Sequence, residues 1–319
     1  MEHNCIVDSS LSQKLRIMSW KIAAAQIDIK IGDAETNLQK MTSIATEADR
    51  QGSQLVIFPE CALAGYCFDS KAEALPHGVT LPALNSSPAE MIASSPLLSH
   101  WQTYCHETGQ YLIHGLLERD GDELYNTAIL LGPQGFIGKY RKVHLPFLGV
   151  DRFTSYGQEL AQVYDIEGLR LGMNICYDSS FPEPSRCLAL AGADLIALPT
   201  NWPPGAECQA AYSINTRAME NVLYFAAANR VGSENGTNFI GQSSICDPLG
   251  KTIAQGTTHD EEILYAEVDP EQARQKLRIR IAHTSAVNRL GDRHPDLYGA
   301  ILAPSQVMNS REEMNRSGQ

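Results

Sequence analysis

The stretch GMNICYDSSFPEPSR, residues 172–186, decides how this chain is read. An apolar run ends at Cys176, a polar turn follows, and Pro182 opens a helical pattern, as prolines do in a first turn. The letters describe a strand that carries a cysteine into a strand-to-helix turn. There a thiol is presented while the strand holds it rigid, and the Tyr177 N–H stands where it can donate to an oxyanion. A buried small side chain fits Cys176 equally well, because Cys5, Cys61, Cys67, Cys105, Cys187, Cys208 and Cys246 also occur.

Working outward, the pattern after Cys176 predicts a helix over 182–192, a strand over 193–200, a helix over 208–221 and a strand over 222–230. Strand-like runs at 240–248, 251–256 and 262–269 complete that side. On the N-terminal side the predicted order is a strand at 20–29, a helix at 33–52 and a strand at 54–60. Asp33 is the expected N-cap of that helix and Gly52 its stop. Residues 69–95 read as an irregular loop and 95–108 as a helix. Runs at 111–119, 124–132 and 135–145, separated by GDE and GPQG, read as antiparallel neighbours. The basic segment from Pro270 to about Gly291 is expected to be helical and peripheral, and PSQVMNSREEMNRSGQ (304–319) to lack regular structure. No low-complexity linker divides the chain. The expected organisation is a flexible arm over 1–17, one α/β domain over 18–291 and a C-terminal extension over 292–319.

The 319 residues include 43% hydrophobic ones, ample for a core, with 25 Lys+Arg against 37 Asp+Glu, a net charge of −12. Such a surface repels phosphate backbones and anionic lipid, so neither nucleic acid nor a membrane is expected as a partner. No run approaches the roughly 18 apolar residues of a spanning helix. The N-terminus lacks the basic start and apolar stretch of a secretory signal, so a cytoplasmic location with reduced thiols is expected. The cysteines are scattered, with no C-x-x-C pair and no histidine pair at ligand spacing, so neither a metal site nor a disulfide framework is expected.

A thiol that cleaves an amide needs a base for its proton, a positive group or N–H donors for the oxyanion, and a proton for the leaving amine. Three strand ends offer these parts. In LVIFPECALAGY (55–66) a fully apolar run delivers Glu60, a position that would raise its pKa toward acid–base use; a solvated loop carboxylate fits as well. In KYRKVHLP (139–146) period-2 alternation puts Tyr140, Lys142 and His144 on one face, which can line a site or meet water. His144 reads as a hydrogen-bonded structural histidine. The third strand end is Cys176 itself.

Taken together, these stretches resemble the nitrilase superfamily of carbon–nitrogen hydrolases. The likeness runs from about Met18 to Asp269 and includes FPECALAGY, GKYRKVHLP, GMNICYD with FPE, PTNWP, RAMEN, AANRVG and GQSSICDPLG in family order. It implies a four-layer α-β-β-α sandwich and subunits that pair into a homodimer or higher homo-oligomer. It assigns Glu60 as general base, Lys142 as oxyanion stabiliser and Cys176 as nucleophile, and implies no metal or organic cofactor. One departure stands out. Many members carry a second glutamate near the lysine, whereas HLPFLGVDRFTSYG has none, leaving Asp151 as the nearest acid; a surface turn paired with Arg152 is the competing reading. Asn201 and Trp202, after the strand ALPT, and Tyr66, after the Glu60 loop, are candidate substrate contacts beside Tyr177, with simple packing as the alternative for Trp202 and Tyr66. Arg217, Glu220, Asn221, Asn229 and Arg230 read as a structural polar network. Cys-Tyr-Asp followed by Phe-Pro-Glu looks like the members acting on small carboxamides. A nitrile or N-carbamoyl substrate is the alternative, and an acyl-transfer or non-catalytic binding module the rival of another class.

Overall fold

Strand β1 (Trp20–Gln26) shows how the chain divides its apolar residues. Ile22 and Ala24 belong to one core and Ala23 and Ala25 to another, so both faces of the strand are covered. A strand buried on both faces reads as a continuous apolar run rather than an alternating one. The structure is a computed structural model that describes residues 19–83 and 95–317. The arm expected over 1–17, and residues 84–94 of the loop expected over 69–95, lie outside the described residues.

After β1 come α1 (Ala34–Arg50), β2 (Leu55–Ile57), the short α2 (Lys71–Ala74) and α3 (Pro96–Thr108). Strands β3 (Tyr111–Asp120), β4 (Glu123–Gly132) and β5 (Gly135–Arg141) follow as a meander. The next part holds β6 (Val163–Ile166), β7 (Leu169–Met173), α4 (Pro182–Leu190), β8 (Leu195–Pro199), α5 (Ile214–Asn221) and β9 (Tyr224–Ala228). A small hairpin, β10 (Ser233–Glu234) and β11 (Thr237–Asn238), precedes β12 (Ser244–Cys246), β13 (Thr252–Gln255) and β14 (Glu262–Val268). Beyond these lie α6 (Pro270–Arg274), β15 (Arg278–Ile281), β16 (Ser285–Val287) and α7 (Ser310–Ser317).

One sheet has the order β14-β1-β2-β3-β4-β5 and the other β13-β12-β9-β8-β7-β6. In each, three central strands run parallel, β1-β2-β3 in one and β7-β8-β9 in the other, flanked by antiparallel neighbours. The inner faces meet through Ile22, Leu55, Ile57 and Ile113 on one side and Leu171, Met173, Leu195 and Phe225 on the other. Each such side chain taken out of water contributes about 1.5–3 kcal/mol. Helices α1 and α3 cover the first sheet with Met41, Ala45, Leu98 and Trp101; α4 and α5 cover the second with Leu188, Ile214 and Ala218. This is the α-β-β-α sandwich that the sequence implies. Asp33 caps α1 by accepting from the Thr36 N–H, and Gly52 follows its end at φ 78°.

Three stretches differ from expectation. The loop expected over 69–95 carries α2, capped by the Ser70 side chain, and a 3-10 turn over Leu75–His77. The segment from Pro270 is helical only to Arg274, and then forms the hairpin β15–β16. The tail from 304 carries α7, whose Arg311 donates to the carbonyls of Thr154 and Arg152, 3.0 Å each. Among the described residues no helix is long and apolar enough to cross a membrane.

Candidate active site

In doubly covered sheets, functional side chains gather beyond the carboxyl ends of parallel strands. Here β2 leads to Glu60, β7 to Cys176 and β8 to Thr200 and Asn201, while Lys142 is the first residue after β5. The loop after β2 is bent tightly. Cys61 sits at φ 48°, and its carbonyl accepts the N–H groups of Ala64 and Gly65. This turn drives Glu60 inward to 1% exposure. The turn packs directly on β3, where Gly115 donates its N–H to the Pro59 carbonyl at 3.1 Å.

Lys142 is 1% exposed, and its ammonium donates to Glu60 Oε1 at 2.7 Å and to Asp151 Oδ2. Asp151 lies on a short helical turn, Gly149–Arg152, and is fully buried, which removes the surface-turn reading. That turn is pinned by the Val150 N–H, which donates to the Tyr66 carbonyl at 2.7 Å, and by Gly149 at φ 49°, where a Cβ would run into the Tyr66 ring. The Tyr66 hydroxyl donates to Asp151 Oδ2 at 2.9 Å, and Arg152 instead reaches the carbonyls of Gly149 and Phe68.

Cys176 opens a helical turn, Cys176–Ser180, at φ 44°, a left-handed conformation uncommon for a non-glycine residue and recurrent at functional sites. Asp178 holds this turn: it accepts the N–H of Ile175 at 2.9 Å, the Tyr140 hydroxyl at 2.9 Å and the His144 N–H at 3.1 Å. His144 also bonds Asp178 through Nδ1 at 2.8 Å and stacks on Phe181. It therefore ties the lysine segment to the cysteine turn, the structural part expected of it. Arg217 closes the other end of the turn on the carbonyls of Ser179 and Ser180 and pairs with Glu220.

The charges are arranged for proton traffic. Burial pushes the Cys176 thiol up to about 12, with Glu60 adding to the rise, while Lys142, the Thr200 hydroxyl and the Asn201 backbone pull it back. Burial likewise raises the Glu60 carboxyl, against the pull of Lys142. For Lys142 itself burial works against the charge, yet Asp151 and Glu60 outweigh it and hold the amine well above its ordinary value. The cluster therefore holds the Lys142 ammonium between the Glu60 and Asp151 carboxyl groups, beside a protonated thiol.

The structure thus joins Glu60, Lys142 and Asp151 by hydrogen bonds and brings Cys176 within electrostatic reach of Glu60 and Lys142. Tyr66 is 1% exposed, and its hydroxyl is committed to Asp151. Asn201 is buried and donates to the Glu60 carbonyl at 2.9 Å. Trp202 is buried with its N–H on Asn229, and Tyr177 is half-buried with its ring edge-on to Phe181. Three further residues join without having been singled out in the sequence: Asn126, Thr200 and Asp178. Glu234, paired with Arg230, accepts the N–H groups of Tyr66 and Cys67 and so braces the loop after Glu60.

Residues 21–277 match the carbon–nitrogen hydrolase family. A nitrilase of Pyrococcus abyssi is 36% identical over 80% of this chain and 92% of its own length. A solved Saccharomyces cerevisiae protein from branch 10 of the nitrilase superfamily is 25% identical, with a TM-score of 0.71 over 84% of this chain and 97% of that one. The amidase of Nesterenkonia superposes with a TM-score of 0.72 at 23% identity, covering 88% of this chain and 97% of that one. By family match and by its relatives alike, this chain belongs to the carbon–nitrogen hydrolase family.

Proposed function

We propose that the protein hydrolyses a small linear carboxamide to ammonia and a carboxylic acid through a thioester on Cys176. The observation that carries this reading is the distribution of bonds on Glu60. Its Oε1 accepts both Lys142 and Asn126, while Oε2 is buried with no partner among the described residues. A carboxylate oxygen left bare beside a protonated thiol is the acceptor that the thiol needs.

In the proposed cycle Glu60 takes the thiol proton as the Cys176 sulfur attacks the amide carbon. Two of the three Lys142 protons are held by Glu60 and Asp151, so the third, with the Tyr177 N–H, is left for the oxyanion. The Tyr177 N–H stands in the first turn of its helical segment, where no carbonyl of that segment can reach it. The C–N bond breaks as Glu60 passes the proton to the leaving ammonia. Glu60 then takes a proton from water, the hydroxide attacks the thioester, and the acid leaves as the thiol is re-formed. Asp151 fixes Lys142 in place of the longer acid that many relatives carry, and Asn201 and Trp202 shape the wall after β8. In a mutant of the Nesterenkonia amidase the active-site cysteine carries the acetamide moiety of fluoroacetamide by covalent addition, so that cysteine acts as a nucleophile, the part proposed here for Cys176.

The oligomeric reading rests on the outer face of the second sheet. Tyr212, ahead of α5, is 68% exposed, and Leu190 stands 50% exposed in a cleft of about 790 Å³ that α4 forms with Val287, Tyr298, Ile301 and Leu302 and that several arginines also line. A second copy of the chain is proposed to cover it, and sedimentation as a monomer would remove that reading.

The deciding experiment is ammonia release from a panel of small amides, nitriles and N-carbamoyl compounds, run beside Cys176→Ala. Release from amides that disappears in the variant is expected. Release that persists without the thiol ends the thioester mechanism, and release from nitriles alone moves the substrate class.

A further inference from the structure

Asn126 is an asparagine in the middle of β4, fully buried between two carboxylates. Its Nδ2 donates one proton to Glu60 Oε1 at 2.7 Å and the other to Asp151 Oδ1 at 2.8 Å. Its backbone carbonyl accepts the Lys142 N–H at 2.8 Å. It therefore touches every charged member of the cluster. The direction of the amide is fixed chemically, since a carbonyl oxygen turned toward two carboxylates would be repelled. It is also fixed from behind, where the Cys61 thiol donates to Asn126 Oδ1 at 3.6 Å. Burial, with Glu60 and Asp151 adding to it, holds that thiol well above its ordinary pKa, so it stays a donor.

This bridging matters because two carboxylates so close repel each other, and Lys142 alone balances only one negative charge. A single amide that bonds both holds them apart in fixed orientation at no cost in charge. It also decides which Glu60 oxygen is occupied. With Lys142 and Asn126 both on Oε1, rotation of the carboxylate would break two buried bonds, so Oε2 stays bare.

We propose that Asn126 is a positioning residue: it locks the Glu60 carboxylate so that Oε2 alone is presented for the Cys176 proton, with the Cys61 thiol locking Asn126 in turn. The proposal rests on the reading of Glu60 as base and Cys176 as nucleophile, and deepens it.

The test uses Asn126→Ala, Asn126→Ser, Cys61→Ala and Glu60→Gln in the full chain. Two readouts are taken from about pH 5 to 9: kcat and KM on the amide that the panel identifies, and the rate at which iodoacetamide alkylates Cys176, followed on the Cys176 peptide by mass spectrometry. Asn126→Ala is expected to lower kcat by roughly 10- to 100-fold with KM within about threefold, the scale of a mispositioned catalytic group. Its acid limb should move to higher pH by about one unit, because a bond favouring the charged carboxylate is gone. Asn126→Ser, which keeps one donor, should recover part of both effects, and Cys61→Ala should show a weaker version of them. If Asn126→Ala does not fold, the serine and Cys61 variants carry the same two readouts. An acid limb that stays put in these variants while Glu60→Gln displaces it overturns the Asn126 proposal alone. An alkylation profile indifferent to Glu60→Gln removes Glu60 as the base, and the proposal falls with it.

Discussion

Asp151, proposed as the second acid of the site, is held by a geometry that makes its role testable. Asp151 accepts from Lys142, Asn126, Tyr66 and Thr154, so its carboxylate is saturated and immobile. Asp151→Asn should leave the fold in place but set an amide against Lys142 and Asn126, letting the ammonium drift. A fall in kcat of roughly 10- to 1,000-fold is expected, as for other mispositioned oxyanion donors. The acid limb should move too, and downward. Burial is the main reason that the Glu60 carboxyl sits high, but the Asp151 charge adds to it, and neutralising that charge relieves the rise. An unaltered kcat would return Asp151 to packing. Glu60, Lys142 and Cys176 are legible in the sequence because each lies just beyond a strand, in segments that together resemble one family, and Asp151 only as the acid nearest the lysine, on a turn ten residues after β5 ends at Arg141. Asn126 is not, since one amide inside LYNTAILLG looks like any polar strand position. Its meaning comes from side chains 25 and 66 residues away along the chain.

At the scale of elements, the site depends on how closely β3 approaches the loop after β2. A Cβ added at Gly115 would stand 2.3 Å from the Cys61 nitrogen and 2.6 Å from the Glu60 Cα, both backbone atoms that cannot swing aside. Gly115→Ala should therefore push the Glu60 turn off the strand. Overpacking of this kind costs about 1–3 kcal/mol. A shift of the order of 1 Å in a catalytic group costs about 100-fold in rate, so activity should fall far more than the melting temperature. Kinetics and thermal denaturation on one preparation check this, and a variant of near wild-type kcat would show that the contact is slack. The same element shows why this requirement escapes a sequence reading: YLIHGLLER reads as a strand with or without its glycine. The opposite error occurs in KLRIRIAHTSAV, where a basic composition suggests a helix although Arg278, Ile279, Arg280 and Ile281 alternate with the period of the strand they form. There composition outweighs periodicity, and periodicity is the better physical guide.

For the molecule as a whole, the groups buried to build the site set its response to acid. His114, next to Gly115 on β3, is fully buried against Trp101, with Nδ1 on the Gly115 carbonyl and Nε2 without a partner among the described residues. Burial lowers its pKa from 6.5 to about 4, only partly offset by the Gly115 carbonyl. Above pH 6.5 the ring is neutral in both folded and unfolded chains and costs nothing. As pH falls below that value the unfolded chain takes up a proton that the folded one refuses, so stability is lost progressively. The loss is complete once pH drops below the folded pKa. It amounts to about 3 kcal/mol, at roughly 1.4 kcal/mol for each unit of depression. Glu60 acts in the opposite direction. Its raised carboxyl binds a proton more readily in the folded chain, so its penalty at neutral pH is relieved as pH falls through its folded value. His114→Phe keeps a planar apolar ring beside Trp101 and removes only the first effect. Denaturant midpoints for the variant should therefore fall less steeply between about pH 6.5 and 4 than those of the wild type, with the two proteins closest in slope above pH 7. Parallel curves across that window would mean that His114 reaches water in the folded protein. The floor beneath the Glu60 turn would then be open rather than the dry support on which the bare Oε2 depends.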